Sequence, residues 1–390
     1  MKIGIDKIGF YAPHLYVDMN KLAIARDVEP AKFTIGIGQE EMAFAPITQD
    51  TVTLAANAAL NILDETDKQK IDFVIFGTET GIDSSKASAV YVHDLLGINP
   101  DARSIEMKQA CYAATAAIQM AKGHIALNPE SKVLVLASDI ARYGLRTGGE
   151  ATQGAGAVAM LISADPKILA LEEKSAYHTS DVMDFWRPTY TDKAIVDGKL
   201  SNEQYIEFFA KVWEQYKVKT DASFSDFEAI CFHLPYTKMG QKALKPLLPE
   251  TDEVTQNRLL ENNEASKTYN KRIGNIYTGS LYLSLLSLLE TKEDLEEGAR
   301  IGLFSYGSGA VGEFFSGILQ PGFRSALQPA RHREILDSRK EIDVAEYEER
   351  FNNTLPTDGS TLELEKEDDP SSIYLAGIKN HMRQYVNDNR

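Results

Sequence analysis

The order of elements in this chain repeats. Helix, polar turn, buried strand and a single polar residue run over 50–79 and again over 202–233. A polar residue opening a buried helix recurs as 111–127 and 275–289, and a strand with a glycine turn recurs as 132–162 and 300–319. The repetition is one of order, not of residue identity. Alternating strands and helices specify α/β halves with mainly parallel or mixed sheets. The order restarts near residue 167, so the expected halves are 1–166 and 167–390. Each is of ordinary domain size.

The repeat matters because polar residues fall at matching points. Glu79 and His233 each follow a buried strand, Phe73–Phe76 and Ala229–Phe232. Cys111 and Asn275 each open an apolar helix. Ligands bind at the carboxyl ends of strands in α/β folds, so a pseudo-two-fold arrangement gathers all four at one site. Together they supply a nucleophile, a carboxylate, an imidazole and an amide, the parts that covalent acyl chemistry requires. Backbone N–H groups of Cys111 and of the Ser308-Gly309 turn are the expected oxyanion donors.

Each residue also has a plain structural reading. A cysteine in an apolar setting is often a small core residue. A thiol at a helix start, in contrast, meets the positive end of the helix dipole and is expected to ionise readily. Glu79 can be a solvated strand end, His233 a hydrogen-bonded core histidine and Asn275 a helix cap. Lys238 and Lys242 share a helix face just after His233, which suits either solvent or a nucleotide phosphate. Local sequence leaves these alternatives open.

Other elements read locally. Asp50 caps a helix reaching Leu63, and Asp64–Lys70 is a polar turn. Arg324–Ala345 is charged and partly helical. The acidic run Glu363–Asp369 reads as an exposed loop. Tyr374, Leu375, Ile378, Met382 and Tyr385 suggest an amphipathic helix over Ser371–Tyr385.

A formal charge of -16 argues against nucleic acid or an anionic membrane as partner. Two cysteines make no disulfide framework, and no signal peptide or membrane span is expected, which points to the cytoplasm. The histidines lack metal-ligand spacing, and no Gly-Lys-Ser/Thr follows the glycine turns, so neither a metal nor a phosphate loop is expected.

The ordered set of motifs resembles the 3-hydroxy-3-methylglutaryl-CoA (HMG-CoA) synthase family, bacterial branch. It comprises Lys32–Gln39, Gln109-Ala110-Cys111-Tyr112-Ala113-Ala114-Thr115, Phe232–Lys238, Gly274–Tyr282 and Phe304–Gly309. Eukaryotic members carry Asn where this chain has Gln109, and paired glycines where it has Ala113-Ala114. The resemblance implies the thiolase fold, five αβαβα layers from two similar halves, and a homodimer without cofactor. It implies that Cys111 is acylated by acetyl-CoA, that Glu79 is the general acid and base, and that His233 binds acetoacetyl-CoA. It implies that Glu29, Thr152, Ser201, Lys238, Lys242, Asn275 and Ser308 line the substrate or CoA channel, with Tyr143 near the acyl group. Rival readings are a 3-ketoacyl-acyl-carrier-protein synthase, which needs no carboxylate base, a thiol hydrolase, and a non-catalytic acyl-CoA-binding protein.

Overall fold

Ten strands form one mixed sheet in the computed structural model, which describes all residues except Asp192, Glu367 and Asp368. The first half supplies β1 (Ile3–Tyr11), α1 (Thr51–Leu60), β2 (Ile71–Gly77), α2 (Ser88–Leu96), β3 (Arg103–Met107), α3 (Ala113–Leu127), β4 (Lys132–Ala141) and β5 (Gly154–Ala164). Its strand order is β1-β5-β4-β2-β3. The second half supplies β6 (Leu169–Leu171), β7 (Ala176–Thr179), α4 (Gly198–Thr220), β8 (Ala229–Phe232), α5 (Ser280–Thr291), β9 (Arg300–Gly307) and β10 (Val311–Leu319).

In the second half β6 and β7 both flank β10, followed by β9 and β8. The two short strands stand where β1 stands in the first half. Pairing sense repeats as well. β5 is antiparallel to β4, which is parallel to β2; β10 is antiparallel to β9, which is parallel to β8. The halves join edge to edge where Gly4 and Ile5 pair with Ala170 and Leu169.

Strand alternation sorts the core into layers, because successive side chains face opposite sides. On β2 and β4, Val74, Phe76, Leu134 and Leu136 pack under α1 and α2. Phe73, Ile75, Val133 and Val135 face the other way, onto α3 and α5 and, beyond them, Ala229, Cys231, Ile301 and Leu303 of the second half. Aromatic residues of α4, including Phe208, Phe209 and Trp213, cover Ile230, Phe232 and Phe314 on the far side. The result is helix, sheet, helix, sheet, helix, the two halves of the one hydrogen-bonded sheet forming its two sheet layers. The central helices are apolar nearly all round because both faces are covered; Ser280 through Leu289 of α5 are all buried.

Asp50 caps α1 by accepting from Val52 N and Thr53 N, as expected. Three other expectations change. Asp64–Lys70 contains a short helix, Glu65–Lys70, closed by a reciprocal Asp64–Asp67 capping box. The acidic run is not a uniformly exposed loop: Leu362–Glu363 pairs with Gly377 and Ile378, and buried Asp369 accepts from Thr48 and Gln49. Glu367 and Asp368 lie outside the described residues.

The expected helix over Ser371–Tyr385 is instead a hairpin, β11 (Ile373–Lys379) and β12 (Met382–Asn387). Ile373 and Leu375 alternate inward, and Asn380 and His381 turn the chain at φ 50° and 64°. The hairpin reaches back to the first half: Arg383 and Tyr385 bond Asp50 Oδ2 at 2.8 and 2.6 Å.

Candidate active site

The nucleophile turn follows β3. Tyr112 N donates to the Gln109 carbonyl at 3.0 Å, and Ala110 holds φ at 42°. A non-glycine residue in the left-handed region is strained, and such strain concentrates at functional sites. Cys111 is therefore not the first helical residue; α3 begins at Ala113. Two glycines let other elements close on this turn. A Cβ on Gly77 would lie 2.7 Å from Ala114 N, and one on Gly307 would lie 2.5 Å from the Gln109 carbonyl.

Glu79 comes from the turn after β2. The Cys111 thiol donates to its Oε1 at 3.2 Å. Burial, then the nearby Asp139 carboxylate, push the Glu79 pKa up to about 8. Burial, and next the Glu79 charge, also push the Cys111 thiol well above its ordinary value. The ready ionisation expected of a helix-start thiol is thus overturned. Burial and a neighbouring carboxylate outweigh a dipole whose helix starts two residues later.

Asp139, at the end of β4 and wholly buried, organises this corner. Its Oδ1 accepts from Thr78 Oγ1, Glu79 N, Thr80 N and Thr80 Oγ1 at 2.7–3.1 Å. Its Oδ2 accepts from Thr278 N at 3.1 Å and Thr278 Oγ1 at 2.6 Å, so one carboxylate ties the Glu79 turn to the second half.

His233 follows β8, as expected. Its N–H donates to the Phe304 carbonyl at 2.8 Å, and its own carbonyl accepts from Tyr205 at 2.5 Å. The ring is buried and its Nδ1 has no partner in the protein. Burial pushes its pKa down to about 3, leaving a neutral imidazole. Cys111 packs beside Tyr143, Phe185 and Tyr277. Tyr143 senses the charges of both Cys111 and Glu79. Asn275 is buried five residues before α5 rather than opening it, and its Oδ1 accepts from Tyr277 N at 2.8 Å and Ser280 Oγ at 3.0 Å.

The remaining residues divide. The Ser308 carbonyl accepts from Gln109 Nε2 at 3.1 Å, which puts it against the nucleophile turn. Gly309 N is committed to Asp184 Oδ1 at 2.9 Å, so within the Ser308-Gly309 turn the expected oxyanion donor falls to the Ser308 N–H. Ser201 meets the same Asp184 at 3.1 Å. Thr152 Oγ1 bonds the carbonyl of Gly149, the glycine that backs the Tyr143 ring. Lys238 N donates to the Ile37 carbonyl at 3.3 Å, docking its helix on the 32–37 turn. Lys242 is exposed and donates to Tyr236 at 2.9 Å. Glu29 is exposed and caps Lys32 N through its carbonyl.

Sequence reasoning missed Asp139, Asp184 and Arg187. The signal for Asp139 was an acid closing the buried strand Val133–Ala137; Asp184 and Arg187 flank Phe185-Trp186 outside the repeated order.

Residues 1–167 match the family profile "Hydroxymethylglutaryl-coenzyme A synthase N terminal", and residues 169–268 and 248–358 match its C-terminal counterpart. The chain belongs to the HMG-CoA synthase family. It is 55% identical over 388 residues to the hydroxymethylglutaryl-CoA synthase of Enterococcus faecalis, covering 99% of this chain and 100% of that protein. It is 32% identical to a polyketide biosynthesis 3-hydroxy-3-methylglutaryl-ACP synthase of Bacillus subtilis, over 89% of this chain and 87% of that one. A crystal structure of an HMG-CoA synthase complexed with CoA superposes with a TM-score of 0.96 at 47% identity, covering 99% and 100% of the two chains. The fold is accordingly the thiolase-like fold of HMG-CoA synthases. Within that family pattern, the two departures have structural counterparts here. Gln109 holds the Ser308 carbonyl, and Ala114 rests against side-chain-free Gly77.

Proposed function

We propose that this protein condenses acetyl-CoA with acetoacetyl-CoA and water, giving HMG-CoA and CoA, a step in isoprenoid precursor synthesis through mevalonate. The observation that carries the mechanism is the Cys111–Glu79 hydrogen bond. A neutral thiol needs a base in contact, and Glu79 is that base. Cys111 Sγ attacks the acetyl carbonyl as its proton passes to Glu79; CoA leaves as the thiol, taking a proton back. Ionised Glu79 then removes a proton from the acetyl methyl group. The resulting carbon nucleophile attacks the ketone of acetoacetyl-CoA, and protonated Glu79 returns the proton to the new alkoxide. Neutral His233 donates a hydrogen bond to the acetoacetyl oxygen. Water cleaves the Cys111 thioester, releasing HMG-CoA and restoring the thiol.

Tyr143 borders the acyl group. Glu29, Thr152, Ser201, Lys238, Lys242, Asn275 and Ser308 form the substrate and CoA channel, where the lysine pair suits phosphate groups. The contact between thiol and carboxylate favours this chemistry over a ketoacyl synthase or a Cys–His hydrolase, neither of which requires Glu79. We read residues 1–166 and 167–390 as the two domains of a cytoplasmic homodimer that needs no metal or other cofactor. Among the described residues no helix is long and apolar enough to cross a membrane, and β3 leaves one edge of the sheet for a second copy. The test is direct: protein mixed with both thioesters yields HMG-CoA and free CoA thiol, and mass spectrometry after acetyl-CoA alone finds acetyl-Cys111. An unmodified Cys111 rules out every covalent route.

A further inference from the structure

Glu79 is gripped through its own backbone from two sides. Its N–H donates to Asp139 Oδ1 at 2.9 Å, and its carbonyl accepts from the Arg187 guanidinium. The charged or titratable groups bearing on it come from every neighbouring element. They are Asp139 near the end of β4, Cys111 in the nucleophile turn, Tyr143 beyond β4, Tyr277 before α5, and Arg187. Arg187 is the one cation among these five.

Arg187 is held in place by what precedes it. It follows a two-residue strand, Phe185–Trp186, paired with Ile195–Val196. Asp184 anchors that strand through Tyr306 at 2.9 Å, Ser201 at 3.1 Å and Gly309 N at 2.9 Å. Phe185 packs edge-on against Tyr143 and Tyr277, with ring centroids 5.9 and 6.0 Å apart. These contacts fix the chain just before Arg187, whose guanidinium then meets the Glu79 carbonyl. It also borders a cavity of about 450 Å³ shared with Thr80 and Gly81, the two residues after Glu79.

We propose that Arg187 is the positioning residue for Glu79, fixing the carbonyl of its turn and supplying, among the described residues, the positive charge beside its carboxylate. The proposal rests on Glu79 acting as the base. A nearby cation favours the carboxylate form, so Arg187 opposes the burial and the Asp139 charge that favour the acid. Removing it makes Glu79 a carboxylate only at higher pH, and the acidic limb of the rate profile follows.

The test compares wild type with Arg187→Met, Arg187→Lys and Arg187→Ala from about pH 6 to pH 10. The readouts are thermal unfolding, Cys111 acetylation and HMG-CoA formation. Arg187→Met is expected to lose roughly tenfold or more in kcat, with KM changed less than about twofold and the acidic limb moved up by roughly 0.5–1 pH unit. Arg187→Lys keeps the charge and returns the limb to its wild-type position, with only part of the rate because the fork geometry is gone. Guanidinium ion, admitted through the cavity, restores rate to Arg187→Ala. An unmoved limb in a folded Arg187→Met overturns the proposal, as does Arg187→Lys with a limb displaced like that of Met. Wild-type protein that forms no acetyl-Cys111 or HMG-CoA counts instead against the reaction itself, so the two failures are distinguishable.

Discussion

The Cys111 thiol and the Glu79 carboxylate share a 3.2 Å hydrogen bond with opposite effects on the two partners: the thiol, as donor, eases the ionisation of Glu79, while the Glu79 charge hinders that of the thiol. The two groups titrate as a pair. Glu79 ionises first with the thiol as a neutral donor, and the thiol follows only at much higher pH. Nucleophile and base are therefore one unit, in which the thiol stays protonated until a thioester is in place.

Replacing Glu79 separates two properties that usually fall together. Glu79→Gln is expected to lower HMG-CoA formation by roughly 10²–10⁴. It also removes the negative charge that holds the thiol up, so alkylation of Cys111 by iodoacetamide near pH 8 should accelerate. Steady-state rates and labelling kinetics measure the two effects. Slower alkylation in a folded variant would contradict the coupling.

The raised Glu79 pKa has a cost in stability. The folded state binds this proton more tightly than the unfolded chain, whose ordinary value is 4.5, against about 8 when folded. The contribution is most favourable below the unfolded value and is lost as pH rises through the folded one. Glu79→Gln should therefore gain stability over wild type between pH 5 and pH 8.5, by roughly 1–3 kcal/mol. Denaturant titrations at the two pH values read the difference.

Asp139→Asn should act on both halves at once. An amide cannot accept from donors on both of its terminal atoms, so either the Thr78–Thr80 group or Thr278 loses its partner. The expected loss is about 2–4 kcal/mol. Removal of its negative charge should also bring the acidic limb of activity down in pH, opposite to the effect of Arg187→Met. Calorimetry and a pH–rate profile test the pair of effects.

His233 is neutral over the whole working range, because burial holds it near 3. Its titration should produce no limb between about pH 5 and pH 7. His233→Ala is expected to leave Cys111 acetylation intact while raising KM for acetoacetyl-CoA at least about tenfold. Acetylation stoichiometry and initial rates decide it.

Gly307→Ala places a methyl group 2.5 Å from the Gln109 carbonyl and 2.7 Å from Tyr112 N. Backbone atoms cannot yield cheaply, so the Cys111 turn must shift. A destabilisation of about 1–3 kcal/mol is expected, with acetylation falling more steeply than Tm; an unaffected acetylation rate would show that the turn tolerates displacement.

Much of this was legible because local and repeated signals agree. Asp50 and its apolar stripe specify α1 through neighbours in sequence. The repeated order places Glu79 and His233 after corresponding strands, and Cys111 beside Glu79 follows from the fold that order implies. The rest depended on distant partners. The spacing of Tyr374, Leu375, Ile378, Met382 and Tyr385 suits a helix, but the turn at Asn380-His381 and the contacts to Asp50 make it a hairpin. The helix dipole suggested an easily ionised thiol, whereas burial and then a carboxylate 32 positions earlier in the chain set the opposite sign. Arg187 belongs to a segment absent from the repeat, so no matching position announced it.

The bonds from Arg383 and Tyr385 to Asp50 span 333 and 335 positions. At a synthesis rate of about 5–20 residues per second, Asp50 waits roughly 20–70 s for them on the ribosome. During that interval the first half can form its sheet and cap α1, but the surface that will receive β11 and β12 stays open. Ile373, buried in the finished protein against the α1–α2 core, marks the apolar patch that is uncovered meanwhile.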